Sequence, residues 1–224
     1  EKLLRLGLPV LAEKPLSLQR DESLKLIELA RSVGVPLVED FIHLFSWPYL
    51  KLNEQLGNNS PMEIVSRGSN RGPFRDYSPL YDHSPHDLAM ILQVFGCMPE
   101  SISMELQGVE GELAFGANIA LDFGELGQAD IFSSNTSVKK QRLFELRQGE
   151  QCWVYDDTSV DKLTRNGVAQ NSALSSCSSI QLVLDHFCGR KEFYKQKKML
   201  WLSQAVAEVL CRLEFQYRES IRNY

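Results

Sequence analysis

Two kinds of pattern are missing from this 224-residue sequence: paired cysteines and long apolar runs. The five cysteines are odd in number, and no two of them have C-x-x-C spacing. We therefore expect neither a disulfide framework nor a zinc site, and a reducing cytoplasm is the favoured location. No apolar run approaches the ~20 residues that cross a bilayer, and the first residues form no signal peptide. We therefore expect no membrane association.

An excess of positive charge is also missing. The 24 Lys and Arg residues are outnumbered by 29 Asp and Glu residues, which gives a net charge of −5. Nucleic acid and anionic membrane surfaces are therefore not expected as main partners. An anionic small ligand stays open, because a local pocket can oppose the global charge. The hydrophobic fraction of 43% is that of a globular protein and argues against disorder.

The sequence has no loose polar leader either. It opens on Glu1 rather than Met and enters structured sequence at once. A natural domain start usually carries a more flexible leader. We therefore expect that further residues precede Glu1 in the natural protein.

The first 41 residues predict a β–α–β unit. A helix end at Glu1–Leu6 is followed by a short apolar strand at Leu8–Ala12. Ser17–Val33 has apolar residues at helical spacing, and Pro36–Phe41 is a second short strand. This order is typical of a parallel sheet with helices on its faces.

The rest of the chain has a different organisation. A polar loop is predicted at Ser69–Pro79 and a helix at His86–Phe95, and short strands follow between Glu100 and Asp156. These strands predict an antiparallel meander. A polar connection at Leu163–Ser179 and two C-terminal helices complete the chain. We therefore predict a fragment of a doubly wound α/β domain joined to an α+β domain.

Lys14 is the first candidate for chemistry. Glu13-Lys14-Pro15 follows the end of the first predicted parallel strand, and ligands bind beyond the carboxyl ends of such strands. A Lys near a bound cation or in an apolar pocket loses its proton more readily and serves in acid–base catalysis. The alternative is a solvated surface lysine.

Asp82 and His86 are the second candidate. They lie four residues apart across a predicted helix start, so both side chains can face one cleft. A carboxylate beside an imidazole orients the ring and supports its protonated form. Three alternatives stay open: a helix cap with an incidental histidine, a functional pair of His83 and Asp87, and a metal site that includes His43. No H-E-x-x-H spacing supports the metal site.

Two segments resemble one known family. The segment A-E-K-P-L-S at residues 12–17 is similar to the EKP-containing segment of the glucose–fructose oxidoreductase and inositol dehydrogenase family, also called Gfo/Idh/MocA. The segment L-Y-D-H-S-P-H-D-L at residues 80–88 resembles its D-x-x-x-H motif. The intervening and later elements match in order, so the resemblance covers nearly the whole chain. It implies that residues 1–45 are the C-terminal remnant of a Rossmann domain. Residues 46–224 would form an α/β domain with an open, mainly antiparallel sheet.

The resemblance also implies a function. It implies an NAD- or NADP-dependent oxidoreductase that acts on a secondary hydroxyl of a sugar, sugar nucleotide or cyclitol. Lys14, Asp82 and His86 would form the catalytic set, and Glu13, Lys14 and Pro15 would lie near the cofactor. The open sheet would join subunits in a homodimer or homotetramer.

Other polar residues are candidates for contact with the substrate. His43 follows the second strand, although a packed core histidine is the alternative. Arg71 and Tyr77 lie in the predicted polar loop, where they would hold sugar hydroxyls or a phosphate unless the loop is only solvated.

The sequence departs from the family pattern in three places. Ser84 stands where the family often has Gly, and Ala89 stands where it often has a second acid. No G-x-G-x-x-G phosphate loop occurs anywhere. Two other functions therefore stay open: a non-catalytic binding or assembly module of the same family, and glycoside hydrolysis assisted by NAD. For these 224 residues alone we expect little catalytic activity.

Overall fold

The computed structural model describes residues 1–57, 61–71, 78–111 and 113–222 and contains two sheets. A two-stranded parallel sheet comes first, and a sheet of eight strands follows. The opening elements are α1 (Lys2–Arg5), β1 (Val10–Ala12), α2 (Arg20–Val33) and β2 (Leu37–Glu39). They form the predicted β–α–β unit, with Val10 opposite Leu37 in parallel register.

Helix α2 shows why this unit forms where it does. Asp21 and Glu22 lie in its first turn, where acidic side chains interact favourably with the helix dipole. Ile27 and Ala30 lie on its buried face and pack with Leu4, Leu37 and neighbouring apolar residues. Gly34 ends the helix with φ of 67°, in the left-handed region that residues with a Cβ atom rarely adopt.

Helix α3 (Trp47–Asn53) precedes the larger sheet, and helix α4 (Ser84–Phe95) follows its first strand. The strands of this sheet are β3 (Met62–Arg71), β4 (Ser101–Glu110), β5 (Leu113–Asp122), β6 (Gly127–Ser134), β7 (Thr136–Gln148), β8 (Gln151–Asp156), β9 (Leu163–Arg165) and β10 (Val168–Ala169). They lie in the order β10-β9-β8-β7-β3-β6-β5-β4.

The predicted meander is interrupted at one place. Strand β3 lies between β6 and β7, parallel to β6 and antiparallel to β7. The close approach is made at Gly127, where a Cβ atom would lie 1.9 Å from the Met62 carbonyl oxygen. The sheet is antiparallel at its other pairs, so the predicted mainly antiparallel sheet is confirmed, and only the unbroken run of the meander is corrected. Periodicity marks strands but does not reveal which strand from earlier in the chain enters between two later ones.

Two predicted loops contain strand residues. The predicted loop at Ser69–Pro79 begins with the last residues of β3, because Ser69 and Arg71 pair with β7. The predicted polar connection at Leu163–Ser179 contains β9 and β10, because β9 extends the edge of β8. Leu163 is fully buried there, so one apolar side chain fixes a strand in a polar stretch.

Helix α6 (Gln196–Arg222), preceded by α5 (Ser179–Phe187), joins the two parts. It contacts α2 and β2 on one side and α4 and β4 on the other. Its apolar stripe includes Leu200, which belongs to the core of the β–α–β unit, and Leu202 and Leu213, which belong to the main core. This packing brings the end of β1 close to the start of α4. The boundary between residues 45 and 46 stays a prediction.

Candidate active site

A cavity of about 250 Å³ lies where the turn after β1 meets the start of α4 and the ends of β3 and β7. Six separate segments of the sequence supply its walls. Its lining residues are Lys14, His43, Ser69, Asn70, Asp82, His83, His86, Lys140, Gln141, Arg142 and Asp157.

Lys14 is held at this cavity by the main chain. It is half-buried in the turn after β1, and the Lys14–Pro15 peptide bond is cis. Its Nζ donates a hydrogen bond to the Tyr81 carbonyl oxygen at 3.1 Å and another to the Asp82 carbonyl oxygen. Hydrogen bonds from a charged donor are stronger than neutral ones. Lys14 is therefore fixed in place and is not a solvated surface lysine.

Helix α4 presents His86 to the same cavity. The helix begins at Ser84 with Pro85 in its first turn, where the missing N–H leaves no intrahelical hydrogen bond unmade. His86 lies in that first turn, and Asp82 lies two residues before the helix. His83 occupies the N-cap position without a side-chain capping bond. Both histidines and Asp82 line the cavity, so the interpretation of this motif as only a helix cap is not favoured.

His43 lies beside His86. It belongs to a 3-10 turn (Ile42–Phe45) after β2. Its ring contacts that of His86 edge-on, with 5.0 Å between ring centroids. Its Nδ1 lies 3.2 Å from the Tyr155 hydroxyl on β8. His43 therefore lines the cavity, as a substrate contact would, and is also packed against a ring and a hydroxyl group, as a core histidine would be.

The three histidines share one electrostatic property. Burial lowers the pKa of His43 and His86 well below the usual value and also lowers the pKa of His83. The positive charges of Arg142 and Lys14 act in the same direction. His43 and His86 are consequently neutral at neutral pH. A neutral imidazole has a free lone pair and can accept a proton.

Asp87 faces away from the cavity. It is fully buried, and its Oδ1 accepts hydrogen bonds from Ser66 Oγ at 2.6 Å and Arg142 Nη1 at 2.8 Å. Arg142, on β7, is itself buried. This network ties α4 to β3 and β7, and it joins the Asp87 carboxyl group to the cavity lining through Arg142. The pairing of His83 with Asp87 as a functional pair is therefore not favoured.

Gly68 on β3 allows His83 to pack this closely. A Cβ atom at Gly68 would lie 2.6 Å from His83 Cβ and 3.1 Å from Arg142 Nη1. Any larger residue would push the start of α4 away from the sheet. Gly68 therefore sets how closely His83 and the start of α4 pack against β3.

Several polar atoms at the cavity have no hydrogen-bond partner among the described residues. Asn70 Oδ1, His83 Nε2 and His86 Nδ1 are all buried and unpaired, and all three residues line the cavity. Buried polar groups are normally paired. Their hydrogen-bonding capacity is open to a ligand.

The structure brings together some of the predicted residues and not others. Lys14, Asp82, His86 and His43 all line the cavity. Glu13 is exposed and Pro15 is half-buried in the adjoining turn. Arg71 ends β3, and its side chain lies outside what the structure describes. Tyr77 lies outside the described residues.

Sequence reasoning missed Asn70 and Arg142. Asn70 was placed in a loop, so its position on a strand facing the cavity was not foreseen. Arg142 has a recognisable signal: it shares strand parity with the buried Phe144 and Leu146. An Arg on the apolar parity of a strand needs a buried partner, and Asp87 is that partner.

The described residues contain neither a metal-binding cluster nor a membrane-spanning helix. Within residues 1–57, 61–71, 78–111 and 113–222, no group of three or more His, Cys, Asp or Glu side chains has a geometry that could hold a metal ion. No helix in this part of the chain is long and apolar enough to span a bilayer. All five cysteines are free.

Comparisons with known proteins identify the fold. No protein-family model and no curated protein sequence matches this chain. Among solved structures, a provisionally assigned oxidoreductase from Magnetospirillum magnetotacticum MS-1 is 25% identical, with a TM-score of 0.82 over 93% of this chain and 73% of the other. UDP-N-acetylglucosamine 3-dehydrogenase GnnA from Acidithiobacillus ferrooxidans is 16% identical, with a TM-score of 0.80 over 97% of this chain and 73% of the other.

A third similar structure is GenD2 from gentamicin A biosynthesis, in complex with NAD. It is 18% identical, with a TM-score of 0.68 over 98% of this chain and 72% of the other. GnnA and GenD2 show a shared fold alone. The predicted fold class, a parallel β–α–β unit followed by a mainly antiparallel open sheet, is confirmed.

Proposed function

We propose that this chain carries the proton-handling and substrate side of an NAD(P)-dependent oxidoreductase of the Gfo/Idh/MocA type. Its substrate would be a secondary alcohol of a sugar, sugar nucleotide or cyclitol. The observation that carries the proposal is the meeting of Lys14 and His86 at one cavity beyond the carboxyl end of a parallel strand. Ligands of open α/β sheets bind at that edge.

The residues present fit a nicotinamide at this edge. Glu13, Lys14 and Pro15 form the turn after β1, and Lys14 opens onto a cavity that contains unpaired polar atoms. When bound there, the cofactor would supply the hydride acceptor or donor. The sequence has no G-x-G-x-x-G loop to hold the pyrophosphate. We therefore expect these 224 residues alone to bind dinucleotide weakly.

His86 is the proposed proton acceptor in the oxidation direction. The hydroxyl proton would pass to the neutral His86 ring as the carbonyl forms, and the bound nicotinamide would take up the hydride from the carbinol carbon. Burial is the first cause of the lowered pKa of His86, and it keeps the ring unprotonated and so able to take a proton. Lys14, with its ammonium donor at the same cavity, would hold the reacting oxygen. Asp82 as an orienter of His86 stays part of the proposal.

The proposed substrate class rests on the cavity wall. Asn70 Oδ1 accepts hydrogen bonds only, whereas the unpaired nitrogens of His83 and His86 each either donate or accept. A polyhydroxy ring presents groups that do both. GnnA is a dehydrogenase of a sugar nucleotide by its name, and GenD2 was crystallised with NAD. Both facts favour this substrate class, with Arg71 and Tyr77 as further proposed contacts.

A substrate screen tests the proposal. The full-length gene product is incubated with NAD or NADP and a panel of sugars, sugar nucleotides and cyclitols, and reduced nicotinamide is followed by absorbance. We expect at least one panel member to be oxidised with equal formation of reduced nicotinamide and ketone. Lys25 and His186 lie outside the cavity, and Lys25→Ala and His186→Ala serve as controls that keep full turnover.

Two results would contradict the proposal. Sugar release without net nicotinamide reduction would favour glycoside hydrolysis. Sugar binding measured by calorimetry without any turnover on either nicotinamide would favour a non-catalytic module. Both alternatives use the same cavity and differ only in the chemistry.

A homodimer or homotetramer through the open sheet is also proposed. The outward face of the large sheet has half-buried apolar side chains on Val65, Phe132, Leu143 and Val154. Apolar side chains on one uncovered face suit a second copy of the chain. Light scattering of the wild type and Phe132→Glu tests this: a dimer or larger in the wild type and a smaller species in the variant are expected. A monomeric wild type would contradict it.

A further inference from the structure

Glu39 is a buried carboxyl group that the mechanism above does not use. It is the last residue of β2, lies opposite Ala12 of β1 in the parallel pair, and is 2% exposed. Carboxyl groups are almost never buried this fully without hydrogen-bond partners. Glu39 lies directly beside the strand that leads to Lys14, so its hydrogen-bond partners can hold the turn that carries Lys14.

Two partners from different parts of the chain meet at Glu39. The Leu16 main-chain N–H donates to Glu39 Oε1 at 3.2 Å. The hydroxyl of Ser203 on α6, itself 2% exposed, lies close to the carboxyl group and lowers its pKa. Gln196 of α6 donates to the Leu37 carbonyl on the same strand at 3.3 Å. Glu39 therefore links the turn after β1 to a helix that packs firmly against β2.

The Lys14 turn is thus held at both of its ends. Leu16, two residues after Lys14, is held by Glu39 from the sheet side. Lys14 Nζ is bonded to the carbonyl oxygens of Tyr81 and Asp82 at the start of α4. Without the bond at Leu16, the turn would lose its only side-chain anchor to β2 among the hydrogen bonds of the described residues.

We propose that Glu39 is a positioning residue that fixes the turn of residues 13–16 and so places Lys14 Nζ against the start of α4. The consequence for turnover rests on the proposed function, whereas the positioning itself does not. Glu39 touches neither the cavity nor the reacting atoms, so it acts only through Lys14.

The charge state of Glu39 fits this role. Burial raises the pKa of its carboxyl group to about 8, against the lowering effects of the Ser203 hydroxyl and the Leu16 N–H. The group is therefore mostly neutral at pH 7. A glutamine has the same shape and keeps an oxygen that accepts from Leu16, so Glu39→Gln is the conservative variant at that pH.

Competitive acetylation of lysines tests the proposal without substrate or cofactor. The chain and its variants are treated with a trace of acetic anhydride at pH 7, and the rate at Lys14 is compared by peptide mass spectrometry with the exposed Lys2 and Lys25. Glu39→Ala is expected to raise the relative rate at Lys14 by about threefold to tenfold, as the loss of one net hydrogen bond predicts. Glu39→Gln is expected to stay within about twofold of the wild type.

Matched controls separate positioning from general destabilisation. Glu28→Ala on the exposed face of α2 should leave all lysine rates unchanged, and circular dichroism confirms that each variant is folded. If Glu39→Ala does not fold, Glu39→Asp replaces it, because its carboxyl group is one methylene short of Leu16 and should give the same rise.

Two outcomes overturn the proposal: an unchanged Lys14 rate in a folded Glu39→Ala or Glu39→Asp variant, or a rise in Glu39→Gln equal to that in Glu39→Ala. Because acetylation needs no turnover, either outcome would leave the proposed oxidoreductase function standing. An inactive full-length protein whose Lys14 shows the expected acetylation pattern would contradict the proposed oxidoreductase function and would support the positioning role of Glu39.

Discussion

The buried polar groups beneath the cavity differ in their pairing from those that line it. Beneath it lies a floor in which Arg142 and Ser66 both bond to Asp87 Oδ1 and tie α4 to the sheet, and only Asp87 Oδ2 is left without a partner among the described residues. On the wall, atoms of Asn70, His83 and His86 are just as inaccessible but have no partner among the described residues. A partnered buried group stabilises the fold, whereas an unpartnered one lowers stability and is retained where a ligand uses it. The floor is therefore structural and the wall is the proposed binding surface.

The largest effect is expected from breaking the floor. Arg142→Met leaves the fully buried Asp87 carboxylate without its charge partner, which costs about 3–5 kcal/mol of unfolding free energy. Urea denaturation at pH 7 measures this. Arg147→Met on the same strand is the control, because its ion pair with Glu145 is largely solvent-exposed on the Arg147 side and its loss costs about 0–1 kcal/mol. A loss below about 1 kcal/mol for Arg142→Met would mean that the floor pair is not structural.

Glu39 gives the next largest effect, and it appears only with rising pH. Its pKa is raised by burial to about 8. A group with a raised folded pKa stabilises the fold below its unfolded pKa, and that stability is lost as the pH rises to the folded value. As the pH rises from 4 to 9, the free energy of unfolding of Glu39→Gln should therefore increase relative to that of the wild type by about 2–4 kcal/mol.

Thermal or urea unfolding of the Glu39→Gln variant and the wild type across this pH range checks the difference. Glu28→Gln, on the exposed face of α2, should show no such trend. A difference between Glu39→Gln and wild type that is constant with pH would contradict the burial of an ionisable group at this position.

The smallest effect is expected at the wall. Burial lowers the pKa of His86, His43 and His83, so the unfolded chain binds more protons below about pH 6.5. Stability should therefore fall as the pH drops from about 6.5 toward the folded pKa values. His86→Asn should be within about 1 kcal/mol of the wild type at pH 7 and should lose about 1 kcal/mol less on acidification to pH 5.

Urea unfolding of His86→Asn and wild type at both pH values measures this. His186→Asn, at a half-buried histidine outside the cavity whose pKa is also lowered by burial, serves for comparison and should show a smaller difference. An acid loss in His86→Asn as steep as that of the wild type would show that His86 is not a buried neutral group.

The features that could be predicted from the sequence are those that depend on residues close together in the chain. Lys14 and His86 lie in short motifs at strand and helix ends, where local patterning places side chains at an edge. The resemblance of these motifs then supplied their roles. The parallel β–α–β unit followed from apolar spacing and from Gly34. These features depend on neighbours close in sequence, so pattern reasoning reached them.

The remaining features depend on contacts between distant segments. The insertion of β3 between β6 and β7 joins residues more than 60 positions apart, and periodicity does not identify such a partner. Glu39 reads as an ordinary strand-end acid until α6 brings Ser203 against it. Asn70 reads as part of a polar loop because the pairing of β3 with β7 is not visible locally.

In the proposed nicotinamide-dependent oxidation, His86 accepts the hydroxyl proton and Lys14 holds the reacting oxygen. The most direct test of these roles is the pH profile of kcat for Lys14→Ala, His86→Ala and wild type in the full-length gene product, with dinucleotide affinity measured in parallel. The account predicts that kcat falls by about 10²–10⁴-fold in each variant and that dinucleotide affinity changes little. Wild-type kcat with either side chain removed would contradict it.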